Sequence, residues 1–105
     1  MNFRAFEISK KINGNLIGPP NTIVRSTSNI EKTNLDSICY LDDKKYISLL
    51  LEGKVISSVI IIQKNIEEKS SLESEGILKK NKEIKCIIYV TDAKKSFNII
   101  LKLSS

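Results

Sequence analysis

Two long apolar runs constrain the fold of this chain more strongly than any other feature. They are Val55–Ile62 and Ile84–Thr91, and both are rich in β-branched residues, which favour strands. Apart from Ser57 and Ser58, the first run is apolar on both alternations, as in a strand that is covered on both faces. Neither run approaches the roughly 18 consecutive apolar residues of a membrane span. The runs therefore predict central strands of a sheet with helices packed on it.

Helical patterns lie on either side of these strands. The spacing of Ala5, Ile8 and Ile12 predicts a helix that ends at Asn13-Gly14, a pair suited to a left-handed stop. Asp42 or Asp43 is expected to cap a second helix, which runs to Glu52 before Gly53. Asp92 is expected to cap a last helix with an apolar stripe. The stripe consists of Ala93, Phe97, Ile100 and Leu101.

Shorter patterns complete the prediction. Brief strands are expected at Asn15–Ile17, Thr22–Ser26 and Ile38–Leu41, and a loop or a single helical turn at Ser28–Ser37. The charged, Ser-rich segment Asn65–Glu83 predicts a mobile excursion. The predicted fold class is therefore α/β (α+β), with a small mixed sheet of about five strands and three short helices packed on it.

Length and composition indicate one folded domain, residues 1–105. The sequence is 41% hydrophobic, which is too high for a disordered chain. No signal-like apolar segment is visible at the N-terminus, so the default expectation is a cytoplasmic location.

The net charge of +5 raises the question of nucleic acid binding. Only Arg4 and Arg25 among the 17 basic residues are arginine, the residue best suited to bidentate phosphate contacts. Acidic residues are also interleaved with the lysines, so no block of one sign stands out. We interpret the basic balance as background and expect no nucleic acid partner.

The absence of histidine excludes several catalytic classes for these 105 residues. A Ser-His or Cys-His nucleophile pair and a His general base all require that side chain. Cys39 and Cys86 lie in separate apolar runs with no Cys-x-x-Cys pair, so buried free thiols are predicted. We expect no metal, no cofactor and no catalytic residue here.

The run Tyr40-Leu41-Asp42-Asp43-Lys44-Lys45-Tyr46 is the strongest candidate for a binding site. It lies at a predicted strand-to-helix junction, with Tyr40, Asp43 and Tyr46 spaced by three. Two rings beside a hydrogen-bonding group could form a slot for a flat heterocycle. Simpler interpretations remain open: Asp43 could be a helix cap, and both tyrosines could be packing residues.

Four motifs in order resemble those of one enzyme family. They are Asn13-Gly14 with Gly18-Pro19-Pro20, Ile30-Glu31-Lys32-Thr33, the Tyr40–Tyr46 run, and Val90-Thr91-Asp92 opening the last helix. In the family the corresponding motifs include Ile-Glu-Glu-Ala and Phe-Leu-Ala-Asn-Pro-Lys-Tyr. The chain thereby resembles the N-terminal domain of UDP-3-O-acylglucosamine N-acyltransferase, an enzyme of lipid A biosynthesis.

The resemblance implies a function and a set of site residues. The family domain holds the uracil of a UDP-sugar, so Tyr40 and Tyr46 would stack on the base and Asp43 would contact its edge. The family has Asn at position 43, whereas an ionised carboxylate can only accept hydrogen bonds. Base recognition is therefore expected to be weakened or altered.

The family enzyme transfers a 3-hydroxyacyl group from acyl carrier protein to the sugar 2-amine. A β-helix of hexapeptide repeats carries its catalytic His and trimer contacts, and the 105 residues contain no such repeats. The resemblance therefore implies a recognition domain that is non-catalytic and monomeric by itself. Contact with acyl carrier protein would come only through the β-helix.

Two alternatives remain open at the level of sequence. The chain could be a stand-alone nucleotide- or protein-binding regulatory module, or a decayed copy, without acyltransferase activity. It could also be an unrelated basic protein that binds nucleic acid, in which case binding should fall steeply as salt rises.

Overall fold

The structure is a computed structural model that describes residues 1–66 and 73–104. Seven strands and four α-helices have defined bounds in these residues, and a single turn of 3-10 helix spans Lys44–Tyr46. The strands are β1 (Phe3–Arg4), β2 (Asn15–Ile17), β3 (Ile23–Val24), β4 (Ser26–Thr27), β5 (Ser37–Leu41), β6 (Val59–Gln63) and β7 (Cys86–Val90). The helices are α1 (Ala5–Lys11), α2 (Ile47–Leu51), α3 (Ser74–Lys80) and α4 (Ala93–Ser104).

Five strands form one mixed sheet in the order β2-β7-β6-β5-β4. Strands β4 to β7 run parallel to one another, and β2 pairs antiparallel with β7 at one edge. Strands β1 and β3 form a separate antiparallel pair. The predicted mixed sheet of about five strands is confirmed, and its parallel strands require the helical crossovers seen between β5, β6 and β7.

The two faces of the sheet bury two separate hydrophobic clusters. Along β6, Val59 and Ile61 face α1 and α4, whereas Ile60 and Ile62 face α2 and α3. All four side chains are fully buried, as expected for a central strand covered on both sides. The apolar run is therefore the middle layer of an α/β/α arrangement.

The predicted end of α1 and the predicted cap of α4 are confirmed. Helix α1 ends at Lys11, and Asn13 adopts the left-handed conformation with φ of 52°. The Glu7 side chain accepts a hydrogen bond from the Arg4 amide at 2.8 Å, which caps the start of α1. Asp92 caps α4, because its carboxylate accepts from the Lys95 amide at 3.1 Å.

Some predicted boundaries are wrong. Strand β6 begins at Val59 rather than Val55, although Val55 and Ser57 are buried. The helix expected from Asp42 or Asp43 to Glu52 starts instead with a 3-10 turn and becomes α-helical only at Ile47–Leu51. The predicted strand Thr22–Ser26 is two short strands, β3 and β4, which belong to different sheets.

The largest correction concerns the segment Asn65–Glu83. Its second half contains α3, and Ile77 of that helix is almost completely buried against α2. Residues 64–66 are also helical. Four apolar residues spread over a charged segment of this length were too few to reveal an amphipathic helix of two turns. The remainder of the expected excursion, residues 67–72, lies outside the described residues.

None of the helices described in residues 1–66 and 73–104 has the length and hydrophobicity needed to cross a membrane.

Candidate functional site

The candidate site lies where β5 ends and the chain turns into the 3-10 turn before α2. Asp43 is extended, with φ of −138°, and its carboxylate accepts a hydrogen bond from the Lys45 amide at 3.0 Å. The first amides of a helix have no partner within the helix, and an aspartate at this position satisfies one of them. Asp43 is therefore the cap of the turn, and its side chain is exposed.

The two tyrosines pack against different faces of the sheet. The alternation along β5 places Tyr40 on the side of α4, where its ring lies 4.8 Å from the Phe97 ring, centroid to centroid. Tyr46 packs with the cluster on the opposite side, beneath α2. Each ring is half-buried. One face of Tyr40 is thus already engaged by Phe97.

The tyrosines nevertheless meet at the end of the sheet, because both line one small hollow. Its lining consists of Asn29, Ile30, Glu31, Tyr40, Asp42 and Tyr46. Its volume is about 70 Å³, whereas pockets that enclose small ligands measure roughly 300–1,000 Å³. The hollow can therefore take the edge of a flat ligand, with the remainder of the ligand lying in the open.

Asp42, rather than Asp43, shares this hollow with the two rings. Asp42 is two residues beyond Tyr40 in extended chain, so the two side chains point to the same side. The Asp43 carboxylate instead faces the amide that it caps and lines a neighbouring hollow. The three residues predicted from the sequence are thus close together, but only Tyr40 and Tyr46 line the same hollow.

The electrostatics of the hollow are dominated by carboxylates. Burial raises the pKa of the Tyr40 phenol, and the negative charge of Asp42 and the neighbouring Tyr46 raise it further. The Lys45 ammonium lies 4.9 Å from the centre of the Tyr46 ring. A hydrogen bond to Tyr46, and then the charges of Asp43 and Glu31, raise the pKa of Lys45. The Tyr40 phenol and the Lys45 ammonium, whose pKa values are both raised, therefore stay protonated at neutral pH.

A second hollow adjoins the first through Asp42. It has a volume of about 190 Å³ and is lined by Asp42, Asp43, Lys44, Asn65 and Ile66. These residues follow β5 and β6, so both hollows lie at the carboxyl ends of the parallel strands. In open α/β sheets, ligands bind at this edge.

Two larger hollows in residues 1–66 and 73–104 lack comparable chemistry. One of about 340 Å³ lies between α2 and α3, and its rim carries Glu75 and Lys79, an exposed ion pair at 3.6 Å. Another of about 330 Å³ separates the end of α1 from the start of α4. Neither is lined by an aromatic ring. We therefore place the candidate site at the tyrosine hollow rather than in either of these larger spaces.

The cysteines are buried free thiols, as predicted. Cys39 faces the α2 and α3 side, and its sulfur lies 3.3 Å from the Ser57 hydroxyl. Cys86 faces the opposite side of the sheet and contacts the Pro19 carbonyl at 3.0 Å. Within the described part of the chain, no group of three or more Cys, Asp or Glu side chains could hold a metal ion.

Sequence reasoning missed four of the residues that line the tyrosine hollow, namely Asn29, Ile30, Glu31 and Asp42. Asn29 and Glu31 come from the loop before β5, where the Asn29 carboxamide accepts a hydrogen bond from the Glu31 amide at 2.9 Å. That Asx-type turn is a recognisable local signal, but it does not reveal which strand the loop approaches. Asp42 could have been found from the alternation of side chains along β5.

The fold and the site define a mixed α/β domain with a candidate ligand-binding edge. Comparison with known proteins adds no identity, because no protein-family model matches the chain and no curated protein matches it either.

Proposed function

We propose that the chain is a uridine-nucleotide recognition domain, similar to the N-terminal domain of UDP-3-O-acylglucosamine N-acyltransferase of lipid A biosynthesis. In this proposal it binds the nucleotide end of a UDP-sugar in the cytoplasm and performs no acyl transfer by itself. The family reaction, 3-hydroxyacyl transfer to the sugar 2-amine, would require groups that these 105 residues do not supply.

One observation carries the proposal: Tyr40 and Tyr46, which come from opposite faces of the sheet, line the same hollow at its carboxyl edge. Two half-buried phenols at such an edge offer ring surface to a planar base. The family resemblance places the uracil at the same two positions. Geometry and resemblance therefore support the same site independently.

The small volume of the hollow refines this binding mode. Because Phe97 already covers one face of Tyr40, a base can use only the outward face of that ring. The base edge would enter the hollow, and the ribose and diphosphate would extend outward. Lys44, which lines the adjoining hollow, is the cation best placed to approach a phosphate there.

Titration calorimetry with UDP-GlcNAc tests the proposal. The wild-type chain should bind it saturably, and Tyr46→Ala should weaken binding by roughly 5- to 150-fold, because stacking of a base on an aromatic ring contributes about 1–3 kcal/mol. Tyr46→Phe keeps the ring and should retain most of the affinity. Circular dichroism should show that both variants remain folded.

Absence of saturable binding to the wild-type chain would contradict the proposal. Equal affinity of wild type and Tyr46→Ala would show that any binding occurs elsewhere. Binding of a single-stranded oligonucleotide that persists at moderate salt would favour the nucleic acid alternative instead.

A further inference from the structure

We infer that Asp42, and not Asp43, contacts the edge of the bound base by accepting its ring N–H. The site would thereby select bases that carry a ring N–H, such as uracil, and reject those that present a ring lone pair, such as cytosine. The inference rests on the proposed function, since it specifies how the same site distinguishes one base from another.

The first argument for this contact is the position of Asp42 beside both tyrosines. Its half-buried side chain lines the hollow together with both tyrosines, and its charge is close enough to raise the pKa of Tyr40. Within residues 1–66 and 73–104, no hydrogen bond or ion pair engages the Asp42 carboxylate. Both of its oxygens are therefore available to a ligand that rests against the rings.

Asp43 is unsuitable for the same contact. One of its oxygens already accepts the Lys45 amide at 3.0 Å, and its side chain is directed toward the turn that it caps. Rotating it into the tyrosine hollow would release that amide and lose a cap contributing about a factor of five in folding equilibrium. The aspartates are adjacent in sequence and both line the second hollow, but only Asp42 also lines the tyrosine hollow.

The second step follows from hydrogen-bonding chemistry. An ionised carboxylate has only acceptors. The uracil ring presents an N3–H between two carbonyls, so one Asp42 oxygen could accept that proton in a charge-assisted hydrogen bond. Cytosine presents an unprotonated N3, and its lone pair would face the carboxylate. The other carboxylate of the hollow, Glu31, is also only an acceptor and cannot donate to that lone pair.

Matched variants separate the two aspartates. Ser removes the carboxylate at either position, and at position 43 it preserves a capping oxygen, so the turn should remain intact. We expect Asp42→Ser to weaken UMP binding by roughly tenfold to a hundredfold, and Asp43→Ser to change it by less than about threefold. Asp42→Asn supplies both an acceptor and a donor. This variant should therefore bind UMP more tightly than Asp42→Ser does, and it should also bind CMP.

The choice of nucleotide gives a second, independent readout. The wild-type chain should bind UMP at least tenfold more tightly than either CMP or N3-methyl-UMP, which cannot donate from N3. Calorimetry or equilibrium dialysis with the three mononucleotides measures this ratio directly.

Each outcome is decisive. If Asp43→Ser abolishes UMP binding while Asp42→Ser does not, or if UMP and CMP bind equally well, the inference is overturned and the proposed function stands. If none of the nucleotides binds to the wild-type chain, the proposed function fails, and the inference fails with it.

Discussion

Cys39 shows how position in this fold changes the chemistry of one side chain. It lies in the middle of β5, buried between the sheet and α2, with the Ser57 hydroxyl as its polar neighbour. Burial raises the pKa of its thiol to about 12, although the hydrogen bond to Ser57 acts in the opposite direction. The native thiol is therefore protonated throughout the physiological range and is a poor nucleophile.

This shift predicts a pH-dependent stability. An unfolded thiol ionises near pH 9, whereas native Cys39 keeps its proton up to about pH 12. Between these values the unfolded state binds fewer protons, so the free energy of unfolding should fall as pH rises. The substitution Cys39→Val removes this contribution to the pH dependence of stability. Urea titrations at pH 8 and pH 10 should show the wild type losing about 1 kcal/mol more than the variant.

Other groups titrate in the same interval, but they are common to both proteins, so the comparison isolates Cys39. Equal losses of stability in wild type and Cys39→Val would contradict the assignment.

At the scale of elements, one buried polar residue links the end of α2 to the end of α3. Asn81 follows α3 and is almost completely buried. Its amide nitrogen donates to the Leu50 and Ile77 carbonyls, each at 2.9 Å, and its oxygen accepts from the Val55 amide at 3.4 Å. One side chain therefore gives a second hydrogen bond to carbonyls at the ends of two helices, which also accept from the Gly53 and Asn81 amides, and it pairs the Val55 amide.

Replacing Asn81 with Ala should destabilise the domain strongly. The substitution leaves the Val55 amide without its partner, which costs roughly 1–3 kcal/mol when the group stays dry, and it removes one hydrogen bond of about 0.5–1.5 kcal/mol from each carbonyl. We expect a loss of about 3 kcal/mol in the free energy of unfolding, measured by urea denaturation. Asn98→Ala on the exposed side of α4 is the matched control and should change stability by less than about 0.5 kcal/mol.

If Asn81→Ala lowers the free energy of unfolding no more than Asn98→Ala does, then water replaces these hydrogen bonds and the prediction is wrong.

At the scale of the whole molecule, the net charge of +5 is not concentrated in one block of the sequence. On α3, for example, the exposed Lys79 forms an ion pair with Glu75 at 3.6 Å. The tyrosine hollow, by contrast, carries the carboxylates of Glu31 and Asp42. A polynucleotide would therefore meet scattered positive charge on the surface and negative charge at the candidate site.

We accordingly predict weak, non-specific binding to nucleic acid. Fluorescence anisotropy with a labelled single-stranded oligonucleotide should detect any binding only at low salt, and binding should vanish by about 200 mM salt, because few phosphates are neutralised together. Submicromolar affinity retained at that salt concentration would contradict this prediction. UDP-GlcNAc binding under the same conditions provides the comparison.

The sequence by itself determined the central architecture. The runs that contain β6 and β7 are apolar on both alternations, and such segments are stable only when both faces are covered, so a layered sheet follows from local pattern. Asn13, Asp43 and Asp92 end or begin helices through hydrogen bonds and dihedral preferences within a few residues of themselves. These features could be predicted because their causes are local.

The tertiary structure decided which side chains meet. Tyr40 and Tyr46 belong to opposite faces of the sheet and converge only where β5 ends, and a loop 10 residues earlier completes their hollow with Glu31. Asn81 acquires its role because two helices distant in sequence end beside it. Helix α3 is held mainly by the burial of Ile77. Such contacts join residues far apart in the chain, and no local periodicity encodes them.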